Sequence, residues 1–185
     1  MKLLKAALSF AVVLTVLLIG GALCKAGIIQ SGEKNICGVS VERLEIYKKR
    51  ISKFDTMIRT TLKSFNVDEQ FIWLAMMESG GSEIAVSKRG AAGLWQLTKS
   101  TAKHYGCEPN YRLDARCSTA AAAGYLSKLL TDFDGDKWKA VVGYNMGGSN
   151  YKKVGKPTDE ARKLANTVTC LMEQYPYNYE DENES

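Results

Sequence analysis

From Val41 the apolar residues fall at Val41, Leu44, Tyr47, Ile51, Phe54, Ile58, Leu62 and Phe65, in steps of three and four, with Glu42, Arg43, Glu45, Lys48, Lys49 and Arg50 between them. That period predicts one amphipathic helix whose apolar stripe faces a core. Asn66 can cap a second helix with Glu69 three residues on, and the run Phe71-Ile72-Trp73-Leu74-Ala75-Met76-Met77 is apolar on every face. A helix of that kind is central and buried. Gly80-Gly81 stops it, Thr98 or Ser100 can open a short helix through Lys103 and Tyr105, and Ser118 can cap the alanine-rich stretch from Thr119 to Leu130. Asp136 opens another, through Trp138, Val141, Val142 and Tyr144, which ends at Gly147-Gly148. Thr158 or Asp159 opens the last, through Leu164, Val168 and Leu171. No long alternating pattern of the strand type appears, so the chain is expected to be all-α. Its 185 residues suffice for a single core but not for two full domains.

The chain ahead of this helical series has a different character. Met1-Lys2-Leu3-Leu4-Lys5 is basic, Ala6 to Ile19 carries no charge, and Gly20-Gly21-Ala22-Leu23-Cys24-Lys25-Ala26 brings small residues. That is the order of a secretory signal, cleaved after Ala22 or Ala26, although apolar character running nearly to Cys24 also suits an uncleaved membrane anchor over residues 6–24. The expected organisation is therefore residues 1–26 as signal or anchor, 27–65 as an N-terminal segment with the amphipathic helix, 66–175 as the main helical domain, and 176–185 as an acidic tail. An exported protein, periplasmic or extracellular, follows.

Export changes the reading of cysteine and charge. Without residues 1–26 four cysteines remain, Cys37, Cys107, Cys117 and Cys170, which read as two disulfides. Three pairings are open. Cys107 with Cys117 closes a short loop between two predicted helices, and Cys37 with Cys170 joins the ends of the domain, so this pairing is favoured. The formal charge of +5 falls to +2 once Lys2, Lys5 and Lys25 are removed, and the body is more basic than that because Glu180, Asp181, Glu182 and Glu184 crowd the last six residues. A basic body suits a polyanionic surface such as a cell wall. No interleaved basic and aromatic patch points to nucleic acid.

Glu78 is the residue that packing explains least well. It follows seven apolar residues at the C-terminal end of the helix expected to form the core, where desolvation and the negative end of the helix dipole both disfavour its anion. A carboxyl that stays protonated near neutral pH is what a general acid requires. Taken alone, the same features fit a surface glutamate beside two glycines. Gly90-Ala91-Ala92-Gly93 then makes a turn of almost no bulk that delivers Leu94-Trp95-Gln96, and Trp95 offers a flat face of the kind sugars stack on.

Glu78-Ser79, then Gly90-x-x-Gly93-Leu94-Trp95-Gln96, then Tyr144-Asn145 followed by Gly147 resemble the three ordered motifs of the soluble-type lytic transglycosylase family. The stretch from Asp114 to Leu130 is similar to the alanine-rich helix between that family's second and third motifs. The resemblance spans roughly Asn66 to Tyr151 and implies a lysozyme-like helical fold, with peptidoglycan glycan strands as substrate. It implies that Glu78 is the catalytic acid and base, that Ser79 contacts substrate, that Trp95 and Gln96 line the glycan groove, and that Tyr144 and Asn145 lie beneath Glu78. Two positions depart from the pattern: Gly143 and Met146 stand where the family has alanine. Gly143 weakens a helix by about 1 kcal/mol relative to alanine.

Hydrolytic glycosidases normally need a second carboxylate, and the nearest in sequence, Glu83, is expected to point away from Glu78 as a surface residue. That favours a transglycosylase over a goose-type-lysozyme-like hydrolase, and an intact Glu78 speaks against a non-catalytic wall-binding module. Asp132-Phe133-Asp134-Gly135-Asp136 has its glycine at the fourth position instead of the sixth and reads as a capped turn, not a calcium loop. His104 is the single histidine, so a histidine-rich metal site is excluded. No cofactor is expected. Remodelling of the cell's own wall, service to envelope secretion machinery and attack on another cell all remain open.

Overall fold

The computed structural model describes residues 35–178; the signal or anchor reading of residues 1–26 and the acids of the tail lie outside them. The described chain opens with a small antiparallel hairpin, β1 (Asn35–Ile36) and β2 (Val39–Ser40), turning at Cys37-Gly38. Eight helices follow: α1 (Val41–Ile51), α2 (Asp55–Ser64), α3 (Ile72–Ser79), α4 (Lys99–His104), α5 (Ala115–Asp132), α6 (Lys137–Met146), α7 (Gly148–Val154) and α8 (Asp159–Gln174). Apart from the hairpin the architecture is all-helical, as the periodicity predicts. No described helix is long and apolar enough to cross a membrane.

The helix expected from Val41 to Phe65 is two helices. A 3₁₀ turn at Ser52–Phe54 separates α1 from α2, and Ser52 Oγ donates to the carbonyl of Lys49 at 3.0 Å within it. The apolar stripe survives the break, because a single tighter turn shifts the face only slightly, which is why spacing alone does not reveal it. The start of the next helix also differs from expectation. Asn66 takes φ +56° at the end of α2, while Asp68 caps the turn Glu69–Phe71 by accepting from the Gln70 N–H at 2.9 Å. Glu69, instead of reaching back to Asn66, pairs with Arg59 at 3.1 Å and with Lys63 at 2.6 Å.

Helix α3 is the centre of the molecule. Ile72 to Met76 are fully buried, and Trp73 packs against Tyr175 and Tyr177, with ring centroids 5.9 Å away in each case. Side chains of this size contribute about 1.5–3 kcal/mol each on full burial. Around α3 stand α1 and α8, while α6 packs against α8 and α5, and α5 against α2. Gly80 ends α3 in the left-handed conformation, its N–H bonded to Met76 O at 2.8 Å. A Cβ on the next residue, Gly81, would sit 2.8 Å from the carbonyl of Tyr47, so the chain turns away from the core at that point only because nothing projects there.

Asp114, not Ser118, caps the alanine-rich helix: its Oδ1 accepts from the Cys117 N–H at 2.7 Å, and α5 starts four residues earlier than expected. Ser118 is buried inside the first turn and donates to Asp114 O. Thr98, Asp136 and Thr158 cap α4, α6 and α8 as read. The acidic loop before α6 is spent on ion pairs and a cap: Asp132 holds Lys128 and Lys152, and Asp136 Oδ1 accepts from the Lys139 N–H. Cys37 is bonded to Cys170 and Cys107 to Cys117, the favoured pairing.

Candidate active site

Glu78 is the last acidic residue of α3 and opens into a cleft of about 390 Å³. Gln96, Tyr144, Asn145 and Tyr125 share that cleft, along with Ser87, Lys88, Arg89, Thr98, Thr101 and Glu160. The three sequence motifs thus converge on one cavity although Glu78 and Asn145 lie 67 positions apart. Burial pushes the Glu78 carboxyl up to about 7, with the negative charge of Glu160 a second, smaller cause. No hydrogen-bond or ion-pair partner for it exists among the described residues, so nothing holds the anion in place. A proton is retained near neutral pH and can be given to a substrate oxygen.

The aromatic floor of the cleft is held by hydrogen bonds and ring contacts. Tyr144 is buried in α6 and donates its hydroxyl hydrogen to Trp95 O at 2.8 Å. Burial and the Glu78 charge drive its phenol well above the ordinary tyrosine range, so it remains a donor. Tyr125 from α5 packs against Tyr144 on one side and Tyr105 on the other, at 5.2 and 5.1 Å between centroids. Its hydroxyl donates to Gly143 O at 2.9 Å and accepts from the Gly148 N–H at 3.1 Å.

This arrangement accounts for the two departures from the family pattern. A Cβ at Gly143 would meet Leu129 Cδ2 and Phe133 Cε2 at 2.9 Å, and one at Gly148 would meet Leu129 Cδ2 at 2.7 Å. The helix weakness at Gly143 is therefore accompanied by close approach of α6 to α5, which sets Tyr125 into the cleft. Met146 stays out of the cleft lining; its sulfur accepts from the Thr158 N–H at 3.4 Å, steadying the start of the helix that carries Glu160.

The loop from Gly81 to Thr98 supplies much of the cleft lining. Gly93 has φ +81°, and a Cβ there would lie 1.9 Å from the carbonyl oxygen of Arg112, so no other residue fits. Arg112 in turn donates to the carbonyls of Gly90 (2.6 Å), Leu97 (3.0 Å) and Pro109 (2.8 Å), clamping the loop. Gln96, at φ +46°, donates from its amide to Ala85 O and Gly93 O at 3.1 and 2.9 Å, leaving its Oε1 as an acceptor without a partner among the described residues.

Two residues expected at the substrate are placed elsewhere. Trp95 is fully buried, its indole N–H donating to Thr119 Oγ1 at 2.9 Å, so it supports the floor instead of presenting a stacking face. Ser79 donates back along α3 to Ala75 O at 3.0 Å and is absent from the cleft lining. Ser87 lines the cleft in its stead. The spacing in sequence gave no signal for Ser87, nor for Glu160, which returns to the cleft only through the packing of α8. Glu83, the nearest acid in sequence, pairs with Lys53 at 2.5 Å outside the cleft, but Glu160 is a second carboxylate in the cleft, where the sequence offered no plausible one near Glu78.

The family model described as Transglycosylase SLT domain matches residues 56–166. Membrane-bound lytic murein transglycosylase D of Escherichia coli strain K12 is 35% identical over 105 residues, covering 55% of this chain and 23% of that protein. Membrane-bound lytic murein transglycosylase F of Pseudomonas syringae pv. tomato is 32% identical over 126 residues, covering 64% of this chain and 23% of that protein. The chain spans about a quarter of the length of these curated relatives. In fold it is similar to an inactive mutant of lytic transglycosylase Slt from Pseudomonas aeruginosa, with a TM-score of 0.57 at 20% identity over 65% of this chain and 24% of that one.

Proposed function

The chain belongs to the transglycosylase SLT domain family, and on that premise we propose that it is a peptidoglycan lytic transglycosylase that cleaves the β-1,4 bond between N-acetylmuramic acid and N-acetylglucosamine. The observation that carries the reading is Glu78: an unpaired carboxyl, protonated up to about pH 7, in the cleft where Gln96, Tyr144 and Asn145 meet.

In the proposed reaction Glu78 gives its proton to the glycosidic oxygen as the bond to C1 breaks. The resulting carboxylate then takes the proton of the muramoyl C6 hydroxyl, whose oxygen closes on C1. Glu78 ends protonated, a 1,6-anhydro ring forms, and no water is consumed. The acetamido group of the same sugar can stabilise the cationic transition state, so one protein carboxylate suffices. Gln96 Oε1, Asn145 and the hydroxyls of Ser87, Thr98 and Thr101 offer neutral partners for sugar hydroxyls and amides. Consistent with a wall substrate, we place the protein at the cell envelope, exported by residues 1–26 as cleaved signal or retained anchor.

Mass spectrometry of muropeptides released from purified peptidoglycan by the disulfide-bonded protein tests this. Anhydromuramoyl products from the wild type, absent with Glu78→Gln, are expected. Products heavier by one water would replace the reading with a hydrolase in which Glu160 is the candidate second carboxylate.

A further inference from the structure

At the rim of the Glu78 cleft, Ser87 to Gly90 form a tight turn: the Gly90 N–H bonds to Ser87 O at 2.9 Å, and Ala91 bonds back to Ser87 through its N–H to Oγ at 3.0 Å and its carbonyl to the Ser87 N–H at 2.8 Å. Arg112 holds the far side of the same turn through Gly90 O. Lys88 and Arg89 occupy the two central positions, so a fixed backbone presents two adjacent cations, and both line the cleft. Lys88 has no ion-pair partner among the described residues. Arg89 faces Glu160 of α8 at 3.9 Å, with side chains 90% and 70% exposed. A loose pair in water contributes almost nothing to stability, so Arg89 is free to exchange partners.

A strand of N-acetylated sugars is neutral along its backbone and is served by the neutral groups deeper in the cleft. Its charge lies on the lactyl substituent of the muramoyl unit, as a free carboxylate or as the carboxylates of a peptide attached there. Glu160 repels such a group, while Lys88 and Arg89 attract it.

We propose that Lys88 and Arg89 are specificity residues that bind the carboxylate carried on the lactyl substituent of the muramoyl unit, Arg89 leaving Glu160 to do so. The proposal rests on peptidoglycan as substrate but not on the outcome of the cleavage.

The test measures binding by calorimetry, in the Glu78→Gln protein, to soluble glycan strands in four forms: peptide-bearing, peptide-bearing with carboxylates methylamidated, stripped of peptide by an amidase so that the lactyl carboxylate is free, and stripped then amidated. Removing both cations by Lys88→Ala and Arg89→Ala should weaken binding of peptide-bearing strands roughly tenfold, the scale of one charge-assisted contact. Amidation should weaken the parent protein equally and leave the double variant unaffected. Lys88→Glu with Arg89→Glu should go further, and its thermal unfolding should match the parent because the turn is exposed. Tight binding of stripped strands would assign the contact to the lactyl carboxylate, and its loss to the peptide. Equal binding of all forms by parent and double variant, or an equal effect of amidation on both, would overturn the proposal. Failure to find anhydro products from the active protein would overturn the cleavage reading alone.

Discussion

Tyr144 and Trp95 are joined by one hydrogen bond, from the phenol of the third motif to the backbone carbonyl of the second, at 2.8 Å, in the cleft that Tyr144 shares with Glu78. Both side chains are buried, so water cannot replace the bond. Tyr144→Phe should therefore cost about 1–3 kcal/mol of stability, the penalty of an unsatisfied buried carbonyl. It should also lower kcat more than it raises KM, since the floor under Glu78 moves while the outer cleft does not. Denaturant unfolding and steady-state turnover together check this; unchanged stability would mean that the bond is dispensable.

The pH dependence of cleavage follows from Glu78. Its acid form is required for the first step and is lost as pH rises through about 7. The rate should be flat on the acid side of that value and fall about tenfold per unit above it. The charged or titratable groups sharing the cleft are Glu160, Tyr144, Tyr125, Lys88 and Arg89. Of these, Glu160 adds to the upward push, so Glu160→Gln should move the break to lower pH. The movement should shrink in high salt because Glu160 is exposed. A break that stays in place in this variant at low salt would remove Glu160 from the electrostatics of Glu78.

Stability should depend on the same group in the opposite sense to a salt-bridged acid. With its folded pKa raised from 4.5 to about 7, Glu78 is neutral in both states below about 4.5, and there Glu78→Gln should change little. Between the two values the native state keeps a proton that the unfolded chain has lost, so wild-type stability falls as pH rises, levelling off above about 7. The variant should gain relative to wild type across that window, by up to about 3 kcal/mol. Thermal unfolding of both proteins at pH 4 and pH 8 measures the difference, and a gain that is equal at both would contradict the burial of Glu78.

That Glu78, Gln96, Tyr144 and Asn145 meet in one cleft was legible because each lies in a short, ordered motif. The placement of Trp95 and Ser79 was not, for a local reason: the orientation of a side chain at a turn or helix end depends on partners that sequence spacing does not name. Thr119 claims the indole from 24 residues away, and the Ala75 carbonyl claims the Ser79 hydroxyl from within its own helix. Glu160 was invisible for a tertiary reason, since only the packing of α8 on α3 and α6 brings it to the cleft. The helices themselves were readable as a series, except where a 3₁₀ turn preserved the stripe of α1 and α2.

Arg112 should prove more important than its surface position implies. It is the one side chain that ties together Gly90, Leu97 and Pro109, and its own carbonyl is what forbids a side chain at Gly93. Arg112→Ala should release the loop that carries Gln96 and the Lys88–Arg89 turn, costing about 2 kcal/mol from lost charge-assisted bonds. Faster amide hydrogen exchange at Gly90, Ala92 and Leu97 than at the α3 amides, with a higher KM, is the expected signature. Protection unchanged from wild type would show that the backbone bonds of the loop suffice.

The two disulfides should differ in what they contribute. Cys37–Cys170 closes a loop of 133 positions and ties the N-terminal hairpin to α8, whereas Cys107–Cys117 closes only 10, between α4 and the first turn of α5. In the chain-entropy account the longer loop restricts the unfolded state more, by about 2 kcal/mol. The pair Cys37→Ala and Cys170→Ala should thus lower unfolding stability further than Cys107→Ala with Cys117→Ala. Neither pair lines the cleft, so both variants should retain cleavage at temperatures where they are folded. Denaturant midpoints and slopes decide it. Equal losses would place the stabilisation in native contacts around the sulfurs instead of in the unfolded chain, and a loss of turnover without a loss of folding in the Cys37–Cys170 variant would show that this bond also shapes the cleft.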